Sequence, residues 1–222
     1  MRSAFPTMTG RRICAQIAGF ASVLIFTLAI ASTLRAAEDP AAFVRQVGQE
    51  ATRVVADPQL TPQQRQQAYR GMLSAYFDVE LISRLVLGRH WKRATADQRL
   101  VYRQLFEAYV LATYGQRFEG YAGETLEVGR VVDKGRKGVF VASRVHRPQG
   151  PAIGVAWRLL GDGQSWRIVD LVVEGVSMVM THRAEFDAVI RQSGGGIDGL
   201  LARLHSMVAR FEHPAAVQAS KL

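Results

Sequence analysis

The spacing of apolar residues divides the chain into a helical first half, an alternating middle and a helical end. Between residues 40 and 56, Phe43, Val47 and Val54 recur at helical spacing, and the dipeptide DP at 57–58 ends the pattern. The sequence TPQQ at 61–64 combines a hydroxyl N-cap, a proline at N1 and a glutamine at N3. These signals predict two helices, the second running to about residue 77.

Two further helices are predicted before the pattern changes. Asp78 can cap a short helix that ends at Gly88, and TADQ at 95–98 repeats the capping-box chemistry before the longest helix. We extend that helix to about Phe118. It has a broad aromatic face that includes Phe106 and Tyr114. Ordinary core packing is enough to explain such a face, because buried aromatic residues are usually structural.

Beyond residue 123, apolar and polar residues alternate with the period of a strand. Residues 124–132, 137–145, 153–160 and 165–173 are predicted strands, and their short connections imply an antiparallel meander. A helix capped by Ser177 should follow, then a glycine break at 194–196 and a last helix over 198–211. The order predicts an α+β domain, with a curved antiparallel sheet of about four strands wrapped by N-terminal and C-terminal helices.

The N-terminal segment has the organisation of an export signal. Two arginines at 11–12 precede a long apolar run, and the small residues Ala36 and Ala37 precede a polar segment. We predict a signal peptide over residues 1–37, one domain over 38–213 and a disordered tail over 214–222. The apolar run is long enough to span a bilayer, so an uncleaved anchor is the alternative.

Charge and cysteine content narrow the functional classes. The net charge is +9, and the four arginines of the first 37 residues leave 9 − 4 = +5 for the remainder. In an exported protein this charge favours anionic membranes or acidic partner surfaces over nucleic acid. The single cysteine, Cys14, lies in the predicted leader, so the mature chain would lack disulfides, thiol catalysis and cysteine metal sites.

Reactive side chains are few. Asp170, in an otherwise apolar strand, is the best candidate for acid–base chemistry, although no histidine or second acid accompanies it in sequence. Ser177 lacks the second glycine of a nucleophile elbow, and an N-cap role is the simpler interpretation. His182 and Glu185 share a helix face, but two ligands do not close a metal site.

A small basic group surrounds Trp91 between two predicted helices. It consists of Arg89, Lys92 and Arg93. Two interpretations stay open for it: a solvated corner, or a contact with a phosphate head group or an acidic membrane surface.

Two blocks of the sequence resemble the MlaC family, also called toluene-tolerance auxiliary proteins. The first is LVLGRHWKRATADQRLVYRQLFEAYVLATYGQRF at 85–118, and the second is WRIVDLVVEGVSMVMTHRAEFDAVIRQSGGGIDGLLARL at 166–204. LVLG, ATYGQRF, the EGVSM block after Asp170 and GIDGLLARL are the most specific pieces. The resemblance covers nearly the whole predicted mature chain.

The resemblance implies a periplasmic phospholipid carrier that is not an enzyme and needs no cofactor, with the lipid as its cargo. Such a carrier holds acyl tails in a cavity between sheet and helices. It exchanges lipid with an outer-membrane lipoprotein–porin complex and an inner-membrane ABC transporter complex, and a monomer is expected. The candidate lipid-binding residues are Leu85, Val86, Phe106, Val110, Tyr114, Phe118, Val141, Val155, Trp157, Val176, Met178 and Phe186.

Three alternatives remain open from the sequence. The chain could carry another membrane lipid such as a hopanoid, because a broad cavity does not read head groups. It could be a small-molecule enzyme with Asp170 as the base. It could also be an adaptor that binds only proteins, which would have a filled core.

Overall fold

The computed structural model describes residues 38–115 and 123–212. The predicted signal peptide, the predicted tail and Phe118 lie outside these ranges. The helices are α1 (Pro40–Ala56), α2 (Pro62–Tyr76), α3 (Val79–Leu87), α4 (Ala96–Gly115), α5 (Met178–Gln192) and α6 (Asp198–Glu212). The strands are β1 (Thr125–Asp133), β2 (Val139–His146), β3 (Ile153–Gly161), β4 (Trp166–Val173) and β5 (Val176–Ser177).

The predicted helix starts are confirmed by their capping hydrogen bonds. The Thr61 hydroxyl accepts from the Gln64 N–H while the Gln64 side chain accepts from the Thr61 N–H, which is a complete capping box. The same reciprocal pair joins Thr95 and Gln98 at the start of α4. Asp78 accepts from the Leu81 N–H at the start of α3. Local sequence therefore determines where these helices begin.

The strands form one antiparallel sheet in the order β1-β2-β3-β4-β5. The predicted α+β architecture is confirmed, and β5 is a short addition to the four predicted strands. The turn before β5 places Glu174 at φ 48° and Gly175 at φ 82°. Two consecutive positive φ values are typical of the tight turns that join antiparallel strands. Register shifts in β1 and between β3 and β4 mark bulges, which bend a sheet.

The apolar residues form two separate clusters. One joins α3, α4, α5 and α6 around Tyr102, Phe106 and Phe186, whose rings pack edge-on or tilted. Tyr102 is fully buried, and its hydroxyl donates to the Ser83 carbonyl at 3.0 Å. The second cluster joins α1 to the sheet, where Val44 and Val141 are fully buried. Each layer of the fold thus has its own core.

Asp170 connects the sheet to α5. It is buried in β4, and its carboxylate accepts from the Ser177 hydroxyl at 2.5 Å and from the Val179 N–H at 3.1 Å. The Ser177 hydroxyl in turn accepts from the Met180 N–H, which confirms Ser177 as the N-cap. A carboxylate at a helix N-terminus stabilises both the unpaired N–H groups and the helix dipole.

We expect Asp170→Ala to lower the free energy of unfolding by about 1–3 kcal/mol, because it leaves the half-buried Ser177 hydroxyl and the buried Val179 N–H without their acceptor. Urea denaturation measures this difference. Asp97→Ala is a matched control, since Asp97 is an exposed acid in the first turn of α4. Its loss should cost only about 0.5 kcal/mol. Equal effects of the two substitutions would contradict the capping role.

Candidate ligand-binding cavity

A cavity of about 250 Å³ lies between the helices and the inner face of the sheet. It is larger than the ~150 Å³ apolar cavity that suffices to bind benzene in an engineered protein. Its walls come from both apolar clusters: Val47 belongs to the α1–sheet cluster, whereas Val86 and Phe106 belong to the helical cluster. The cavity therefore marks the place where the two cores do not meet.

Helical spacing explains which side chains face this space. Residues four apart lie on one helix face, so α4 presents Phe106, Val110 and Tyr114 in a row. The matching row on α1 consists of Val47, Ala51 and Val55, and that on α3 of Val79, Ile82 and Val86. The sheet contributes Trp157 of β3 and Asp170 and Leu171 of β4. The result is an almost wholly apolar lining.

The outer wall is α2, which has no buried residue. It turns Tyr69, Met72 and Leu73 towards the cavity. Polar contacts hold it in place. The Arg65 guanidinium donates to the Val54 and Val55 carbonyls at 2.8 and 2.7 Å and to the Asp57 carbonyl at 2.9 Å. Cationic donors at the C-terminal carbonyls of α1 also complement its dipole.

At the α4–α5 side, Tyr114 and His182 bring polar atoms into the mostly apolar lining. The Tyr114 hydroxyl lies 2.7 Å from Nε2 of His182, and Nδ1 of His182 lies 3.0 Å from a Glu185 carboxylate oxygen. An ionised carboxylate can only accept, so the Nδ1–H of His182 donates to Glu185. In the tautomer with its only proton on Nδ1, Nε2 accepts from the Tyr114 hydroxyl. His182 and Glu185 thus share a helix face as predicted, and together with Tyr114 they form a chain of hydrogen bonds that joins α5 to α4.

Two features that invited catalytic or metal interpretations have other partners. Both carboxylate oxygens of Asp170 are engaged by α5, although the side chain borders the cavity. Across residues 38–115 and 123–212, no three His, Cys, Asp or Glu side chains are arranged to hold a metal ion. In the same ranges, none of the helices combines the length and apolarity needed to cross a bilayer.

The family model described as MlaC protein matches residues 45–206. The chain belongs to the MlaC family. It is 25% identical, over 148 residues, to the intermembrane phospholipid transport system binding protein MlaC of Haemophilus influenzae. The aligned region covers 64% of this chain and 67% of that relative.

A solved structure has the same fold as this chain. It is the phospholipid-binding protein of Ralstonia solanacearum in complex with a phospholipid, with a TM-score of 0.70 and 21% identity. The alignment covers 79% of this chain and 99% of that protein. The fold expected from the resemblance is therefore present in this chain.

Several residues proposed from the sequence to contact ligand do line the cavity of this MlaC-family chain. They are Val86, Phe106, Val110, Tyr114 and Trp157. The geometry places them there, while their contact with a lipid stays a prediction. Three of the five, Phe106, Val110 and Tyr114, lie on the broad aromatic face that the sequence predicted for the longest helix.

The other proposed residues in the described ranges do not border the cavity. Val141 and Phe186 fill the two cores, and Leu85 packs against the helical cluster. Val155 is half-buried on β3, and Met178 is half-buried with its sulfur 4.0 Å from the Tyr114 hydroxyl. Val176 is exposed on the two-residue strand β5. Apolar character alone does not separate residues that fill a core from those that line a cavity.

The rows on α1 and α2 were missed. Val47, Ala51 and Val55 recur at four-residue intervals and were already assigned to an apolar helix face. The sequence did not show that this face of α1 borders a cavity shared with α3 and α4. Tyr69, Met72 and Leu73 lie in a mostly polar helix, and their i, i+3, i+4 spacing is the signal that could have identified them.

The Tyr114–His182 contact should appear as a coupling energy of about 0.5–1.5 kcal/mol in a double-mutant cycle of Tyr114→Phe and His182→Leu. Equilibrium denaturation of the four proteins measures it. Tyr102→Phe is the matched control, because the Tyr102 hydroxyl donates to the Ser83 carbonyl instead. Its effect should add to that of His182→Leu. Additivity in both cycles would contradict a stabilising α4–α5 hydrogen bond.

Proposed function

We propose that this chain is a periplasmic phospholipid carrier that holds acyl chains in the cavity between sheet and helices. The observation that carries the proposal is the 250 Å³ apolar cavity in a chain of the MlaC family. The names of the Haemophilus influenzae relative and the Ralstonia solanacearum structure, both concerned with phospholipid, support the choice of ligand.

The energetics of lipid transfer explain why a carrier needs such a cavity. Exposing a methylene to water costs about 0.8 kcal/mol, so two chains of about sixteen carbons cost roughly 25 kcal/mol. Free diffusion of the lipid through water is therefore negligible. An apolar lining such as that of Phe106, Val110 and Leu171 replaces the bilayer interior with a similar environment. Net affinity then stays moderate, as loading and release both require.

The carrier is proposed to act without catalysis and without a cofactor, since lipid transfer breaks no bond. The side chains with acid–base capacity at the cavity already serve the fold: Asp170 caps α5, and His182 joins Tyr114 to Glu185. The polar head group would remain outside the apolar lining. We further propose that the chain exchanges lipid with an inner-membrane ABC transporter complex and an outer-membrane lipoprotein–porin complex. The transporter would supply the energy for directed transfer.

The test is to express the full chain in a Gram-negative host and recover it from the periplasmic extract. Native mass spectrometry should show a protein carrying a two-tailed phospholipid, and solvent extraction should identify its head group. A hopanoid in place of phospholipid would identify a carrier of another lipid. Protein without any lipid, and without uptake from liposomes, would overturn the proposal.

Filling the cavity should abolish loading. Val110→Trp places a large ring in the lining, and we expect at least about a tenfold loss of bound lipid, with up to about 1–3 kcal/mol of overpacking strain. Val131→Trp is the matched control, because Val131 is exposed on β1 away from the lining. Native mass spectrometry compares the two. Undiminished loading of folded Val110→Trp protein would show that the lipid binds elsewhere.

A further inference from the structure

A second concavity, of about 240 Å³, lies on the outer side of α5. The end of α3, the turn after it and α5 form its walls, through Leu87, Arg89, Met180, Arg183 and Asp187 among others. Unlike the apolar cavity, it combines charged and apolar groups. The proposed carriage of lipid does not use it.

Within the described part of the chain, Asp187 is the one carboxylate that borders this concavity, and neighbouring cations already neutralise it. Asp187 lies 2.7 Å from His90 Nε2 and 2.7 Å from the Arg89 guanidinium, and it also pairs with Arg191. The hydrogen bond from His90, helped by the charges of Arg191 and Arg89, holds the pKa of Asp187 below its usual value. Arg89 and His90 are thereby fixed in position, while the surroundings keep a net positive charge.

Arg183 is held differently. Among the described residues, no carboxylate lies within ion-pair distance of its guanidinium. Instead the guanidinium lies against the backbone of Gly88, where a Cβ atom would be 2.6 Å from Nε of Arg183. Gly88 also has φ 57°, a conformation that favours glycine. The backbone thus positions a cation without neutralising it.

The side chain beside these arginines is apolar and exposed. Met180 borders the concavity and is 57% exposed, which is high for a large apolar side chain. Arginine is suited to paired hydrogen bonds with carboxylates, and methionine adapts to varied apolar partners. The concavity therefore offers a place for an acidic side chain and, next to it, a place for an aliphatic one.

We propose that this surface, which we call the α5 outer pocket, docks an acidic segment of a protein partner. A carboxylate of the partner lies between Arg89 and Arg183, and an aliphatic side chain of the partner contacts Met180. Charge complementarity favours this occupant, and the concavity between α3 and α5 fits a protruding side chain better than a flat membrane surface. The proposal rests on the proposed function in one respect: a lipid carrier must dock on proteins that supply or receive its cargo.

The same helix borders both sites. Val179 and His182 line the lipid cavity, whereas Met180 and Arg183 line the α5 outer pocket. Successive helical residues are 100° apart, so the two rows lie on adjacent faces of α5. A partner bound to one face is thus a single helix away from the acyl chains, without entering the cavity.

The test measures binding of a short fluorescein-labelled peptide, in which glutamates flank a central leucine, to the wild-type protein and two charge-reversal variants. Arg183→Glu should weaken binding at least about tenfold. Arg136→Glu is the matched control, because Arg136 lies in the exposed turn between β1 and β2 and changes the net charge equally. It should change binding less than about twofold. A lysine-containing peptide should in turn bind Arg183→Glu more tightly than the wild type.

The outcomes separate this proposal from that of lipid carriage. Lipid content by native mass spectrometry should be the same in the wild type, Arg183→Glu and Arg136→Glu. Equal effects of the two reversals on peptide binding would overturn the docking site while leaving lipid carriage intact. Binding to phosphatidylglycerol vesicles through Arg183, without peptide binding, would also overturn it in favour of a membrane contact. Wild-type protein without lipid would instead overturn the carrier function.

Discussion

The structure depends on a packing constraint: its two layers each complete a core and leave a gap between them. Tyr102 and Phe186 close the helical cluster, and Val44 and Val141 close the cluster of α1 with the sheet. Protein interiors normally fill such gaps at close-packed density. Here the facing rows of α1, α3 and α4 end in apolar side chains that do not reach one another. The cavity stays open because the helical cluster on one side and the α1–sheet cluster on the other are each well packed.

One link between the layers is a buried polar contact. Asp170 projects from β4 and fixes the first turn of α5 through Ser177 and Val179, so the strand determines where the helix begins. Such a bond is directional, whereas an apolar contact across the same boundary would fill the gap. A buried carboxylate whose acceptor capacity is used for capping can thus preserve an apolar cavity beside it.

Much of this fold was readable from local chemistry. The capping boxes at Thr61 and Thr95 defined helix starts because they depend on residues a few positions apart. Alternation likewise predicted the four longer strands, and their short connections predicted the antiparallel sheet. The short strand β5 was missed, because its two residues pair through a turn with positive φ values and show no alternation of their own.

The cavity could be predicted only in part from the sequence, because its lining comes from segments that are far apart along the chain. Phe106 and Val110 were marked by their own helix face, but Phe186 carries the same apolar signal and lies in a filled core. The same limitation applies to the basic residues near Trp91. Arg89 belongs to the α5 outer pocket only because Asp187, 98 positions away in the chain, contacts it.

The lack of any buried residue in α2 affects how the cavity can be entered. Moving α3 or α4 outward would expose side chains such as Val86 and Phe106 that complete the helical core. Moving α2 would exchange the Arg65 hydrogen bonds and the contact between Arg70 and Glu107 for bonds to water, and would detach Tyr76 from the edge of the α1–sheet core. No fully buried side chain would be exposed from α2 itself. A long apolar chain that entered along this wall would leave the helical core in place.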